Sequence, residues 1–265
     1  MKAWGERILR VRDIMTKDVI SVGKNESLEH ILYLMQKNDI TKVPVIENGE
    51  LLGIITDGEI AYKLGSIRKR DVTTAHLYAS SVMVRKFEAI NPDTSVDEII
   101  KTVGLPGLTM LPVIENRKLV GVVTKADLLP LVKSKKPVSS IMTKNVITVR
   151  PEDRVIHARR LLIDNNIARL PVVRDVRILG VIAEMDIAYA FAHLKRSIAR
   201  ARQKRRVDEM LVVDAMNSPA ITTSPDTLVE DAAHTMLQHN VGALPVVNER
   251  VIGIVTRTDL IKTLR

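Results

Sequence analysis

Residues 121–129 read GVVTKADLL: two β-branched residues behind a glycine, then a threonine, then an aspartate three positions on. Alone, this is a short strand running into a capped helix, because Thr and Asp at that spacing satisfy each other's exposed backbone donors at a helix start. The phrase is not alone. GIITDGEIA begins at Gly53, GVIAEMDIA at Gly180 and GIVTRTDLI at Gly253. A helix cap needs no repetition, so the four occurrences raise the question of what else the turn does.

The repeat reaches well beyond the turn. Met15, Met83, Met142 and Met216 are each followed 29 residues later by a proline, at Pro44, Pro112, Pro171 and Pro245. The glycine comes nine residues after the proline in three copies and eight after it in the fourth, which places the length variation in a tight turn between them. An acid always stands six residues past the glycine: Glu59, Asp127, Asp186 and Asp259.

Within each copy the local signals alternate. VISV, EAIN, VITV and AITT are short extended runs, and LEHILYLMQKND, VDEIIKTVG, VIHARRLLIDNN and VEDAAHTMLQHN space their apolar residues as helices do. Two short apolar strands follow around a turn such as ENGE, and a last helix starts at the Txx[DE] step. The predicted unit is strand, helix, strand, strand, helix, an α/β (α+β) arrangement. At roughly 60 residues each unit is too small to be comfortable alone, so pairing is expected.

Composition bounds the function. A chain of 265 residues with 46% hydrophobic content can bury a substantial core. No apolar run reaches the roughly 18 residues of a membrane span, and the start, MKAWGERILRVRDIM, lacks the apolar stretch of a secretory signal, so a cytoplasmic protein is expected. Zero cysteines exclude disulfides, thiolate metal sites and a cysteine nucleophile. The six histidines show no metal-ligand spacing, and GxSxG, P-loop and GxGxxG motifs are absent, so neither a metal site nor an enzyme is predicted. The net charge of +9 favours anionic partners.

The Met start, the hPVh strand and the Ghh[ST]xxD end together resemble the cystathionine β-synthase (CBS) domain, over nearly the whole chain. The expected repeats are 9–66, 77–133, 137–195 and 209–265, paired into modules 9–133 and 137–265. The four-copy layout is similar to the γ subunit of AMP-activated protein kinase and its archaeal relatives, and nothing is left over for a catalytic domain. The resemblance implies two Bateman modules in a disk-like pseudo-symmetric assembly with nucleotide sites at the clefts.

Chemistry agrees with that implication. A helix N-terminus behind a strand presents backbone N–H groups to a phosphate, and a carboxylate one turn on can accept from ribose hydroxyls. Copies two and four are complete, with Thr124 and Asp127, and Thr256 and Asp259. Copy three keeps Asp186 but has Ala183, and copy one keeps Thr56 but carries Glu59. The family also places a phosphate-facing cation two residues before the proline. Here that position holds Lys42, Met110, Arg169 and Ala243, so Arg169 matches best and the complete copies lack a local cation.

The resemblance further implies an adenine pocket built by the partner copy. Ile20 and Ile40 would face the nucleotide held by Asp127, Ile147 and Ile167 that of Asp259, and Ile221 and Val241 that of Asp186. The site of Glu59, with Thr56 and Lys42, would receive Glu88 and Leu108; two carboxylates in one anion cleft make it the weakest.

One segment stands outside the repeats. KRSIARARQKRR carries Lys195, Arg196, Arg200, Arg202, Lys204, Arg205 and Arg206 with no acid and no aromatic residue. It is either a solvated connector or a polyanion contact through phosphates alone. The leading expectation is a non-catalytic regulatory sensor of AMP, ADP or ATP whose module packing a regulated protein reads. A basic nucleic-acid-binding protein on the same scaffold and a sensor of S-adenosylmethionine or NAD are the alternatives, no membrane partner is expected, and a homodimer is left open.

Overall fold

The structure is a computed structural model that describes residues 8–66, 74–102, 110–197 (side chains to 194) and 209–265. Each repeat carries an amphipathic helix between its leader and its hairpin: Leu28–Lys37, Val96–Thr102, Val155–Asp164 and Val229–Gln238. The first shows the pattern. Leu28, Ile31, Leu32 and Met35, at helical spacing, form its buried stripe, and the Ser27 hydroxyl caps it by accepting from the His30 N–H at 3.2 Å. Three of these helices exit through a residue in the left-handed region, Asp39 (φ 51°), Asn166 (φ 51°) and Asn240 (φ 45°), where Asn and Asp are tolerated best after Gly.

A hairpin follows in every repeat: β1 (Lys42–Glu47) with β2 (Glu50–Thr56), β3 (Met110–Glu115) with β4 (Lys118–Thr124), β5 (Arg169–Arg174) with β6 (Arg177–Ala183), and β7 (Ala243–Asn248) with β8 (Arg250–Thr256). The first turns through Asn48 and Gly49, both at positive φ, whereas the fourth turns through Glu249 alone, between Asn248 and Arg250. This one-residue difference is the shorter spacing visible in the fourth copy.

The conserved register of proline and glycine within the chain has a structural cause. Pro44 stands opposite Ile54. Ile54 turns both its peptide groups away from the proline, donating to the Val84 carbonyl at 2.9 Å and accepting from the Val84 N–H at 2.8 Å. A residue without an N–H therefore sits in the ladder at no cost in hydrogen bonds. Val84 belongs to the second repeat, so the partner's leader fills the vacated edge. Val122 with Thr16, Val181 with Asn217 and Ile254 with Thr143 repeat the arrangement. Each leader also lays its methionine on the partner's glycine: a β-carbon on Gly121 would lie 2.7 Å from the Met15 sulfur, and one on Gly53 would lie 3.1 Å from that of Met83.

These contacts pair repeat one with two and repeat three with four. Helices make the other two interfaces. One core joins Val43, Ile55 and Ile60 of the first repeat to Leu170, Ile182 and Phe191 of the third, and another joins Leu111, Val123 and Leu128 of the second to Leu244, Val255 and Leu260 of the fourth. Each such side chain contributes roughly 1.5–3 kcal/mol when fully buried, so the helical interfaces are substantial. Sheet contacts and helix contacts alternate, and the four repeats close into a ring.

One expectation is corrected. The extended runs VISV, EAIN, VITV and AITT do not form strands, and each makes only a single parallel bridge to its own hairpin: Val22–Val45, Ile90–Val113, Val149–Val172 and Thr223–Val246. Each leader divides its pairing between its own hairpin and the partner's, and neither ladder grows.

Candidate functional site

The closing helices all begin at the strand-to-helix turn: Asp57–Ser66, Lys125–Leu128, Glu184–Ser197 and Arg257–Ile261. In the second turn the Asp127 Oδ2 accepts from both the Thr124 N–H and the Thr124 hydroxyl, each at 2.7 Å. Asp259 does the same with Thr256, at 2.9 and 2.7 Å. In the third, Asp186 Oδ2 accepts from the Ala183 N–H at 2.7 Å. In the first, Thr56 accepts from the Glu59 N–H at 3.2 Å. The cap is thus real, and in the three aspartate copies it occupies only one carboxylate oxygen.

The second oxygen faces the neighbouring repeat. Asp127 Oδ1 accepts from the Thr16 hydroxyl at 3.2 Å, and Asp186 Oδ1 from the Asn217 side-chain amide at 2.7 Å. Thr16, Val84, Thr143 and Asn217 all directly follow the landmark methionines. Sequence reasoning missed them, although their place in the register would have identified them.

The backbone N–H groups are less available than the sequence suggested. The first helical N–H donates to Thr41 O in copy one (3.0 Å), to Ala168 O in copy three (3.1 Å) and to Gly242 O in copy four (3.2 Å). These turns have fewer free backbone donors for an anion, which leaves side chains to supply the charge.

Those side chains converge. The residue two before each proline lies directly across the ladder from the N-cap: Lys42 from Thr56, Met110 from Thr124, Arg169 from Ala183 and Ala243 from Thr256. Copies two and four, expected to lack a local cation, carry one at the first helical residue instead, as Lys125 and Arg257. Copies one and three, which have the cross-strand cation, place Asp57 and Glu184 there. The sign at this position alternates along the chain but groups around the ring, and the acids Asp57 and Glu184 meet at the one–three interface.

The electrostatics follow from this crowding. Burial lowers the pKa of Lys42, Lys125 and Arg169 from their ordinary values, and for Lys125 the neighbouring Lys42 and Arg169 lower it further. Lys125 and Arg169 make no hydrogen bond or ion pair among the described residues, yet no described side-chain nitrogen or oxygen is both sealed from solvent and unpartnered. Their tips therefore keep some contact with solvent. Burial, reinforced by Asp57, raises Glu184 to about 7, and burial raises Asp186 to about 6 against the pull of the Ala183 N–H, Asn217 and Arg169.

Ile20, Ile40, Ile147, Ile167, Ile221 and Val241 are all half-buried, and all but Ile20 pack against one of the two cores. Glu88 is exposed. Leu108 and the side chains of Lys195, Arg196, Arg200, Arg202, Lys204, Arg205 and Arg206 lie outside the described residues. Among the described residues no group of three His, Asp or Glu could hold a metal ion, and no helix is long and apolar enough to cross a membrane.

The family model for the CBS domain matches four times, at residues 11–66, 79–134, 138–193 and 212–265. The chain belongs to the CBS domain family. Protein MJ1404 of Methanocaldococcus jannaschii, uncharacterized, is 31% identical over 95% of this chain, which spans 61% of that relative's length. Protein MJ1225 of the same organism, also uncharacterized, is 25% identical over 97% of this chain and 98% of its own. The crystal structure of MJ1225, described as a proposed archaeal homologue of γ-AMPK, superposes with a TM-score of 0.83 at 24% identity, covering 97% of this chain and all of that one. The four CBS repeats and their ring arrangement are therefore a shared fold.

Proposed function

We propose that this four-CBS protein is a non-catalytic regulatory sensor of adenine nucleotides, AMP, ADP or ATP, held in the clefts between paired repeats. The observation that carries the reading is the cation set at the ring centre, Lys42, Lys125, Arg169 and Arg257, of which two, Lys125 and Arg169, make no side-chain ion pair or hydrogen bond among the described residues while lying near the carboxylates of Asp259 and Asp186. Phosphates suit the cations, and ribose hydroxyls suit the outer oxygens of Asp127, Asp186 and Asp259. The half-buried apolar residues Ile20, Ile40, Ile147, Ile167, Ile221 and Val241 offer adenine a flat, dry contact.

The same charge argues against S-adenosylmethionine, whose sulfonium would join an already crowded set of cations. Ligand entering a cleft between repeats biases how the modules pack, and a regulated protein reads that bias through its differing affinity for the two arrangements. Glu59, Asp57 and Glu184 gather near one side of the ring, which supports the copy-one turn with Thr56, Glu59 and Lys42 as the weakest site. The polynucleotide alternative rests on sequence alone.

The test is a melting series of the full chain with each nucleotide, together with a phosphate-release assay. Melting temperature should rise with the logarithm of free ligand, with no phosphate release above a protein-free control. No shift with AMP, ADP or ATP would contradict the reading, and turnover of ATP would contradict its non-catalytic part.

A further inference from the structure

The ring carries a polar connection between diagonal repeats that neither the repeat motif nor the family match assigns. Asn240, the left-handed residue ending the helix Val229–Gln238, donates from its side-chain amide to Asp39 Oδ2 at 2.7 Å and to the Asp39 carbonyl at 3.1 Å. Asp39 is the matching left-handed residue of the first repeat, 201 positions away. The Asn240 Oδ1 in turn accepts from Arg257 Nη2 at 2.9 Å, and Arg257 Nε donates to the Val241 carbonyl at 3.1 Å. The guanidinium is thereby held from one side by neutral acceptors, while no carboxylate forms an ion pair with it among the described residues.

Its other neighbour is a second arginine. The Arg169 guanidinium from the third repeat lies on Gly242, where a β-carbon would meet Nη2 at 2.6 Å. The carbonyl of the same glycine accepts from the Arg257 backbone N–H at 3.2 Å. Two guanidinium-bearing residues from different repeats thus meet around one glycine, and Arg169 has no anionic partner within ion-pair distance among the described residues. Burial and then Arg169 lower the pKa of Arg257, while Asp127 and Asp39 are the acids that oppose the shift. The helix Arg257–Ile261 packs on the helix Lys125–Leu128, with Leu260 and Leu128 in one core, which sets Arg257 beside the turn of the second repeat, in the other module.

We propose that Arg257 is a phosphate ligand for the nucleotide seated at Asp127, and that Asn240, clamped to Asp39, is the positioning residue that ties phosphate binding in one module to the contact between modules. The assignment rests on the nucleotide-sensor reading and adds to it a specific route of coupling. The relay has a defined polarity: Asp39 accepts from Asn240, Asn240 accepts from Arg257, and the remaining Arg257 donors are left for phosphate oxygens. Because the relay begins in the first repeat and ends in the fourth, a nucleotide that engages Arg257 engages both modules.

The test compares AMP with adenosine, which shares base and ribose but has no phosphate, by competition against a fluorescent AMP analogue on the full chain. Asn240→Gly removes the amide and keeps the left-handed backbone without strain, and Asp39→Gly does the same at the other end. Asn240→Gly should weaken AMP about tenfold, as expected for a lost hydrogen bond to a charged group, and leave adenosine unchanged, with Asp39→Gly in the same direction and smaller. In an Asp127→Ala background Asn240→Gly should add little, because both act on one nucleotide. Arg257→Lys, which keeps charge but loses the fork, should also weaken AMP selectively. Equal loss of AMP and adenosine, or no loss of either, would overturn the inference while leaving nucleotide sensing intact; failure of the unaltered protein to bind AMP would overturn both.

Discussion

The Thr16 hydroxyl donates to Asp127 Oδ1 across the interface between the first two repeats, at 3.2 Å. One carboxylate therefore closes a helix cap with one oxygen and meets the partner repeat with the other. The capping and binding readings of the Thr-Asp pair are compatible, because they use different atoms.

The same leader fixes the pairing. A β-carbon on Gly121 would lie 2.7 Å from the Met15 sulfur and 3.0 Å from the Thr16 carbonyl, and one on Gly53 would lie 2.7 Å from the Val84 carbonyl. Backbone oxygens cannot step aside as a side-chain tip can. Gly53→Ala and Gly121→Ala should each destabilise the protein by about 1–3 kcal/mol through overpacking, seen as a lower urea midpoint. Unchanged midpoints would mean that the leaders are free to shift.

Lys125 separates stability from function. Among the described residues it forms no ion pair, and burial, Lys42 and Arg169 together lower its pKa against the pull of Asp259. Lys125→Gln should raise the stability of the ligand-free protein by about 0.5–1.5 kcal/mol, a usual size for removing one unfavourable charge contact. It should weaken AMP binding at the same time. Thermal melts with and without AMP check both signs, and a loss of stability without ligand would show that the lysine has a counterion in solution.

Glu184 and Asp186 make stability depend on pH. Glu184 is raised to about 7 and Asp186 to about 6, so the folded protein holds their protons more tightly than the unfolded chain does. For a raised carboxyl, the stabilisation is fully present below the unfolded value and is lost as pH rises through the folded one. These two groups should therefore subtract stability between about pH 4 and pH 7. Glu184→Gln should flatten that fall and stabilise the protein at pH 8, by at most about 3 kcal/mol. Denaturation curves across this range test the sign; a variant less stable than the parent at pH 8 would contradict it.

Much of the fold was legible because its landmarks are contacts. The Met-to-Pro and Pro-to-Gly spacings proved to be two sides of one interface, with methionine on the partner's glycine and leader opposite the residue that faces proline. The site was legible in part. Asp127, Asp186 and Asp259 stand out because one turn recurs four times, whereas Lys125 and Arg257 sit inside the quoted TKAD and TRTD and look like solvated helix residues until the ring closes on them. Thr16 and Asn217 hold a fixed place in the register, directly after the landmark methionines, but nothing in the sequence says that their partners lie in another repeat. The alternation of acid and cation at one helix position is plain in sequence once the ring shows that the four positions meet.

The central claim is that the turns of Asp127 and Asp259 hold an adenine nucleotide, and calorimetric titration of the full chain with AMP tests it most directly. The unaltered protein should bind saturably, and the Asp127→Ala, Asp259→Ala double variant should bind about ten- to a hundredfold more weakly at those sites, the effect of losing a buried acceptor to a ribose hydroxyl. An identical isotherm from the double variant would contradict the account.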